Sequence, residues 1–206
     1  MTFLTLDQAM ERARSALAMP TLYWLDAGGQ KDARNAMPAR PGEITDVKRR
    51  FAEMQAKAPD KAKLYLAGLA QTGLTMEQLP QETCDCSGFV TWALGIPRNP
   101  SAIGWVNTDN MHADAIGAQK MFVRLSQARV GALLVYPSAG PGEVGHVGLV
   151  SEVDAKGQAS RVIHCAPDNF LREPPTGEPR NAIAETECDH FDAVPATVVA
   201  LFRPHA

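Results

Sequence analysis

The chain has 206 residues, is 45% hydrophobic, and carries a net charge of −3 from 20 basic and 23 acidic residues. That length buries a real core in one domain. With charge mixed in sign and no basic block, the composition argues against nucleic-acid binding and against attraction to an anionic membrane surface, and no apolar run approaches the ~20 residues that span a bilayer.

The N-terminal residues lack a positive n-region followed by an apolar h-region, so no Sec signal peptide is read there. The expected product stays in the cytoplasm unless a secretion system or a phage route exports it. Thr5-Leu6-Asp7-Gln8 has capping-box spacing, and Leu6, Met10, Ala13 and Leu17 recur at helical spacing. A first helix over residues 6–18 follows, stopped before Pro20. Tyr23-Trp24-Leu25-Asp26-Ala27-Gly28-Gly29 is an aromatic run ending in a glycine turn, and residues 30–43 read as loop. Residues 44–58 and 60–72 read as helices with a break at Pro59. Thr75-Met76-Glu77-Gln78 repeats the capping-box spacing before Pro80. Residues 30–80 are thus expected to form a helical insertion within a single domain of residues 1–206, too short for a core of its own.

Asp85 is a good N-cap for a helix whose apolar face is Phe89, Val90, Ala93 and Leu94 and which Gly95 and Pro97 end. Ala132–Tyr136 is a continuous apolar run, read as a strand buried on both faces. Residues 145–153 and 160–165 read as two strands around a turn at Asp154, Lys156 and Gly157, and residues 197–203 as the last strand. Helices first and antiparallel strands second give an α+β domain.

Cys86 opens the helix that Asp85 caps. Unpaired N–H groups and the macrodipole at a helix start favour thiolate over thiol, and Ser87 and Gly88 let a substrate come close. A cysteine nucleophile wants a base within hydrogen-bond reach. His146, flanked by Gly145 and Gly148, is the candidate, and His164 is the candidate partner for its second ring nitrogen. In a hairpin centred near residues 155–157 the two even-numbered histidines share a face as direct or diagonal neighbours. Two unrelated strand histidines are the bland alternative. Zinc is a chemical rival, because Cys84, Cys86, His146, His164, Cys165 and Cys188 supply ligand types. However, C-x-C is not a spacing of structural zinc sites and no second close pair completes it. A disulfide from Cys84 to Cys188 or Cys165 stays open. His112 is read on a surface helix, and His190 and His205 as solvated.

Asp85-Cys86-Ser87-Gly88-Phe89-Val90, followed by Leu94-Gly95-Ile96-Pro97-Arg98, resembles the nucleophile segment of the NlpC family of bacterial cell-wall cysteine peptidases. Gly131–Tyr136, Gly145–Val150 and Val162–Ala166 are similar to that family's next strand, its histidine segment and its third-residue segment. Tyr23 and Gly28-Gly29 resemble the tyrosine and glycines before the nucleophile, although about 55 residues separate them from it here. Ala132 stands where that strand usually carries Asp. The resemblance implies a papain-like core with the nucleophile helix packed on an antiparallel sheet. It implies hydrolysis of amide bonds in peptidoglycan peptide stems, without metal or cofactor, by Cys86, His146 and His164. Tyr23, Asp85 and Ser87 are the expected oxyanion or substrate contacts. Any immunity or delivery partner is unspecified. Other readings remain open on the same fold: an acyltransferase, a hydrolase of a non-wall amide, or an inactive binding or structural domain.

Overall fold

A computed structural model describes residues 3–29, 38–100, 102–140 and 143–206. The first helix, α1 (Leu6–Ser15), starts with the full Thr5/Gln8 capping box and runs into a short 3-10 turn at Ala16–Ala18. β1 (Leu22–Tyr23) pairs in parallel with β3 (Glu82–Cys84), and β2 (Glu43–Ile44) pairs antiparallel on β3's other side. Between β2 and β3 lie α2 (Val47–Lys57) and α3 (Pro59–Ala70). Pro59 does more than break the helical pattern: it occupies the first turn of α3, where its missing N–H has no partner to lose. The capping-box spacing at Thr75–Gln78 produces only a turn, held by the Gln78 side chain accepting from the Thr75 N–H.

Helix α4 (Cys86–Leu94) is capped by Asp85, whose Oδ1 accepts from the Gly88 N–H at 2.6 Å. Gly95 ends it in the left-handed region (φ 70°). After α5 (Thr108–Ile116) the chain builds a six-stranded antiparallel sheet from β4 (Phe122–Arg124), β5 (Leu133–Tyr136), β6 (His146–Val153), β7 (Ala159–Cys165), β8 (Ile183–Glu187) and β9 (Val198–Phe202). Their order is β4-β9-β5-β6-β7-β8. Two short helices, α6 (Pro167–Leu171) and α7 (Asp189–Asp192), flank β8.

β5 is buried at every position, as its continuous apolar run predicts. Its odd residues Leu133 and Val135 join Val147, Leu149 and Ile163 in the large core against α4 and α1. Its even residues Leu134 and Tyr136 join Val150, Val162 and Phe191 in a smaller core on the other face. Val47, Phe51, Leu69 and Leu79 belong to the large core, so the segment between β1 and β3 shares the main hydrophobic cluster. Among the described residues, no helix is long and apolar enough to cross a membrane.

Candidate active site

The start of α4 is set by a buried ion pair that sequence reading missed. Arg98 is completely buried, and its guanidinium meets the Asp85 carboxylate at 3.1 Å. One terminal nitrogen donates to Asp85 Oδ1 and to the backbone carbonyls of Ala27 and Gly28. The other donates to Asp85 Oδ2 and Ser87 Oγ. Asp85 Oδ2 also accepts from the Asp26 N–H at 2.7 Å. The Tyr23–Gly29 segment is thereby fastened to the start of α4 despite its distance in sequence. The packing there admits no side chain: a Cβ on Gly88 would lie 2.3 Å from the Ala27 carbonyl oxygen, and one on Gly28 would lie 2.4 Å from Cys84 Sγ.

Asp85 and Ser87, expected to touch substrate, are both buried, with their polar atoms engaged by Arg98, by each other and by the helix start. Tyr23 lies close enough to Cys86 for a thiolate there to raise its phenol pKa, an effect second to burial. Its backbone carbonyl accepts from the Tyr65 hydroxyl of α3 at 2.7 Å.

The Cys86 thiol is 4% exposed. Burial pushes its pKa up and the neighbouring Asp85 carboxylate adds to this. The N–H groups of Val147 and Ser87 and the Arg98 charge pull the other way without prevailing. The expectation that a helix start lowers this pKa therefore fails, because desolvation of a buried thiolate outweighs a terminal dipole. His146 is also buried, and burial, then the charges of His164 and His190, hold its pKa well below the usual value. Burial thus favours the neutral form of both the thiol and the imidazole.

His146 and His164 meet because of strand register. β6 and β7 pair Gly148 with His164, so His146 is the diagonal neighbour of His164 on the same face. Gly148 matters here: a Cβ at that position would lie 2.5 Å from Val162 and 3.0 Å from the His164 Cβ. His146 Nε2 lies 2.7 Å from His164 Nδ1. His164 Nε2 lies 3.0 Å from Thr186 Oγ1, and that hydroxyl donates to the Glu187 carbonyl. The directions then follow from the last bond. Thr186 has given its proton to a carbonyl, so it accepts from His164 Nε2–H. His164 Nδ1 accepts from His146 Nε2–H, and the lone pair of His146 falls on Nδ1. Asn169 Nδ2, 3.5 Å from His164 Nε2, instead donates to the His164 and Ala182 carbonyls.

Among the described residues, no hydrogen bond joins Cys86 Sγ to the His146 ring. The Val147 N–H, next to His146 on β6, acts to lower the thiol pKa, less than burial raises it. Catalytic contacts of this kind often close only with substrate bound.

Tyr136 and His190 also stand at this end of the sheet. Tyr136 pairs with His146 across β5 and β6, and its hydroxyl lies 2.6 Å from His190 Nε2. Burial, then Cys86, raises the Tyr136 pKa to about 12. His190 is exposed, as expected, but it stands edge-on to His146 with ring centroids 5.3 Å apart, which sequence spacing does not reveal. Phe191 stacks on His146 from the same helix, α7. His112 lies on α5, half-buried, with Nε2 3.0 Å from the Ala196 carbonyl. His205 departs from expectation: it is partly buried, packed on Phe202 and bonded to the Leu4 carbonyl.

Two cavities flank the centre. A groove of about 750 Å³ runs between α2–α3 and α6, walled by Trp24, Met54, Leu64, Tyr65 and Phe170 and reaching Tyr23 and Val144 beside the site. A smaller, polar cavity of about 280 Å³ opens at His164, Thr186 and His190. All four cysteines are free thiols, and among the described residues no group of three or more His, Cys, Asp or Glu side chains is arranged to hold a metal ion.

No curated protein matches the chain. The sequence motifs pointed to a papain-like cysteine hydrolase of the cell wall, and that class holds, whereas the narrower NlpC-type affiliation does not come with the family that matches. Residues 78–166, the segment that holds Cys86, His146 and His164, match the sequence model of the CHAP domain, a papain-like cysteine peptidase/amidase domain common in cell-wall hydrolases.

Proposed function

We propose that the chain hydrolyses amide bonds in peptidoglycan peptide stems, with Cys86 as nucleophile, His146 as general base and His164 as the residue that orients it. The hydrogen-bond relay from His146 to the Glu187 carbonyl supports this reading most directly, because it leaves an unprotonated Nδ1 on His146. In the first step Cys86 Sγ attacks the carbonyl carbon while His146 Nδ1 takes the thiol proton. The Cys86 N–H and the Tyr23 hydroxyl are the proposed oxyanion donors. The C–N bond then breaks as His146 returns its proton to the departing amine. Water, deprotonated by the same nitrogen, hydrolyses the thioester and frees Cys86. Because the resting pair is neutral, proton transfer accompanies attack, and no thiolate is stored beforehand.

The groove between α2–α3 and α6 is the proposed seat for the stem peptide, since Tyr23 and Val144 connect it to the centre. On this reading the insertion selects substrate.

The test is incubation with defined peptidoglycan fragments and mass spectrometry of the products. A new amine terminus within the stem is expected, with turnover abolished by Cys86→Ala and near-abolished by His146→Ala, and mostly kept by Cys84→Ala. Turnover that survives Cys86→Ala refutes the assignment. A thioester that transfers to an added amine in place of water makes the chain an acyltransferase.

A further inference from the structure

Three thiols gather beneath the site, and hydrolysis uses only one. Cys84 ends β3 and Cys165 ends β7, and both are completely buried. The Cys165 thiol donates to the Cys84 carbonyl at 3.4 Å, and the Cys84 thiol lies 3.4 Å from the Pro41 carbonyl and 3.3 Å from the Asp85 carbonyl. Gly28 leaves the space that Cys84 Sγ occupies. Cys188 lies in the smaller core on the opposite face of the sheet, out of reach of this pair. Cys86 lies past the end of β3, as the first residue of α4.

Buried free cysteines often serve only as small apolar groups. The position of this pair argues for more. β3 belongs to the three-stranded sheet and β7 to the six-stranded one, and no ladder joins them. Cys84 stands two residues before the nucleophile, and Cys165 directly follows His164. A covalent bond between them ties the strand that delivers Cys86 to the strand that delivers His164.

We propose that Cys84 and Cys165 form a disulfide when the chain folds in the presence of a small-molecule disulfide, and that Cys86 stays reduced. One of the two thiolates attacks the small disulfide, forming a mixed disulfide and releasing one small thiol. The other attacks the protein sulfur of that mixed disulfide and releases the second small thiol. The two protein thiols lose two electrons, the small disulfide gains them, and the two protein thiol protons end on the released thiols. Because both sulfurs are buried in the folded chain, exchange occurs before the two sheets close. The bond encloses about 80 residues, a loop long enough for substantial stabilisation.

The test uses the full chain, unfolded with reductant and refolded in a mixture of oxidised and reduced glutathione. Remaining thiols are alkylated, and the protein is digested without reduction by a protease that cleaves before aspartate. That cleavage falls between Cys84 and Asp85, so Cys84 and Cys86 are mapped on different peptides. The expected result is a Cys84–Cys165 linked pair with Cys86 alkylated, and a Tm on the order of 10 °C above that of the reduced chain. The rise should vanish in Cys165→Ala. A disulfide that includes Cys86 or Cys188 overturns the proposal, as does alkylation of all four cysteines. Mapping reads linkage and not hydrolysis, so this result is independent of whether the chain cleaves peptidoglycan.

Discussion

Replacing Arg98 with Met removes the guanidinium while keeping a side chain of similar length. Five hydrogen bonds are lost: to Ala27 and Gly28, to both oxygens of Asp85, and to Ser87. Asp85 is left as a buried carboxylate facing only the N–H groups of Asp26 and Gly88 and the Ser87 hydroxyl. Breaking a buried ion pair by removing one partner costs about 3–5 kcal/mol, mostly the penalty of the stranded charge. Against a total stability on the order of 5–15 kcal/mol, that is a large fraction. In a chain of this size it lowers Tm by roughly 10 °C or more. Urea unfolding is conveniently followed by tryptophan fluorescence, because Trp92 lies on α4 and Trp105 stacks on Arg98 itself. The double variant Asp85→Asn, Arg98→Met removes both charges. It should be more stable than the sum of the single losses implies, with a coupling of at least about 1 kcal/mol. If Arg98→Met costs less than about 1 kcal/mol, or the two losses simply add, the ion pair does not hold the helix start and the reasoning fails.

Two further outcomes follow from the histidine pair. Burial lowers the pKa of both His146 and His164, the latter to about 4, below the ordinary ~6.5 of an unfolded chain. The unfolded state therefore binds more protons as pH falls from about 6.5 toward 4. The stability contributed by the neutral pair is fully present above pH ~6.5 and is lost on acidification, with a slope of up to about 3 kcal/mol per pH unit. Urea midpoints measured from pH 7.5 to 4.5 should fall steeply below 6.5, and a flat profile contradicts the buried neutral pair. Thr186→Val removes the acceptor that fixes the His164 tautomer. It should lower kcat roughly tenfold or more with little change in KM, and Thr186→Ser should restore it; equal activity in all three removes Thr186 from the relay.

What the sequence discloses here is local. The start of α4 is legible because Asp85, Gly88 and Gly95 act within one helix. The hairpin is legible because alternation has period two and its turn is short, which offers a register with His146 and His164 on one face; the observed pairing excludes the one-residue slip that separates them and makes them diagonal neighbours. β3 escapes notice because three residues carry no periodicity, and β8 because Ile183-Ala184-Glu185-Thr186-Glu187 is a polar edge strand. With β8 goes Thr186, which sets the direction of the relay. Arg98 is visible in the nucleophile motif, but nothing local states that its partners are Asp85 and the carbonyls of Ala27 and Gly28, about 70 residues away.

The error about Cys86 has the same origin and changes the chemistry. A helix start is a local feature and favours a thiolate. Burial is a tertiary property, and here it works in the opposite sense on both partners, raising the thiol and lowering the imidazole. A preformed thiolate–imidazolium pair would be reactive toward any small electrophile. A neutral pair keeps the sulfur quiet until a bound carbonyl presents a carbon to attack and donors for the oxygen. In the proposed mechanism, the register that joins His146 to His164, and the hydroxyl of Thr186 behind them, then determine whether the proton can leave. The proposed chemistry depends less on the acidity of Cys86 than on which nitrogen of His146 is left bare.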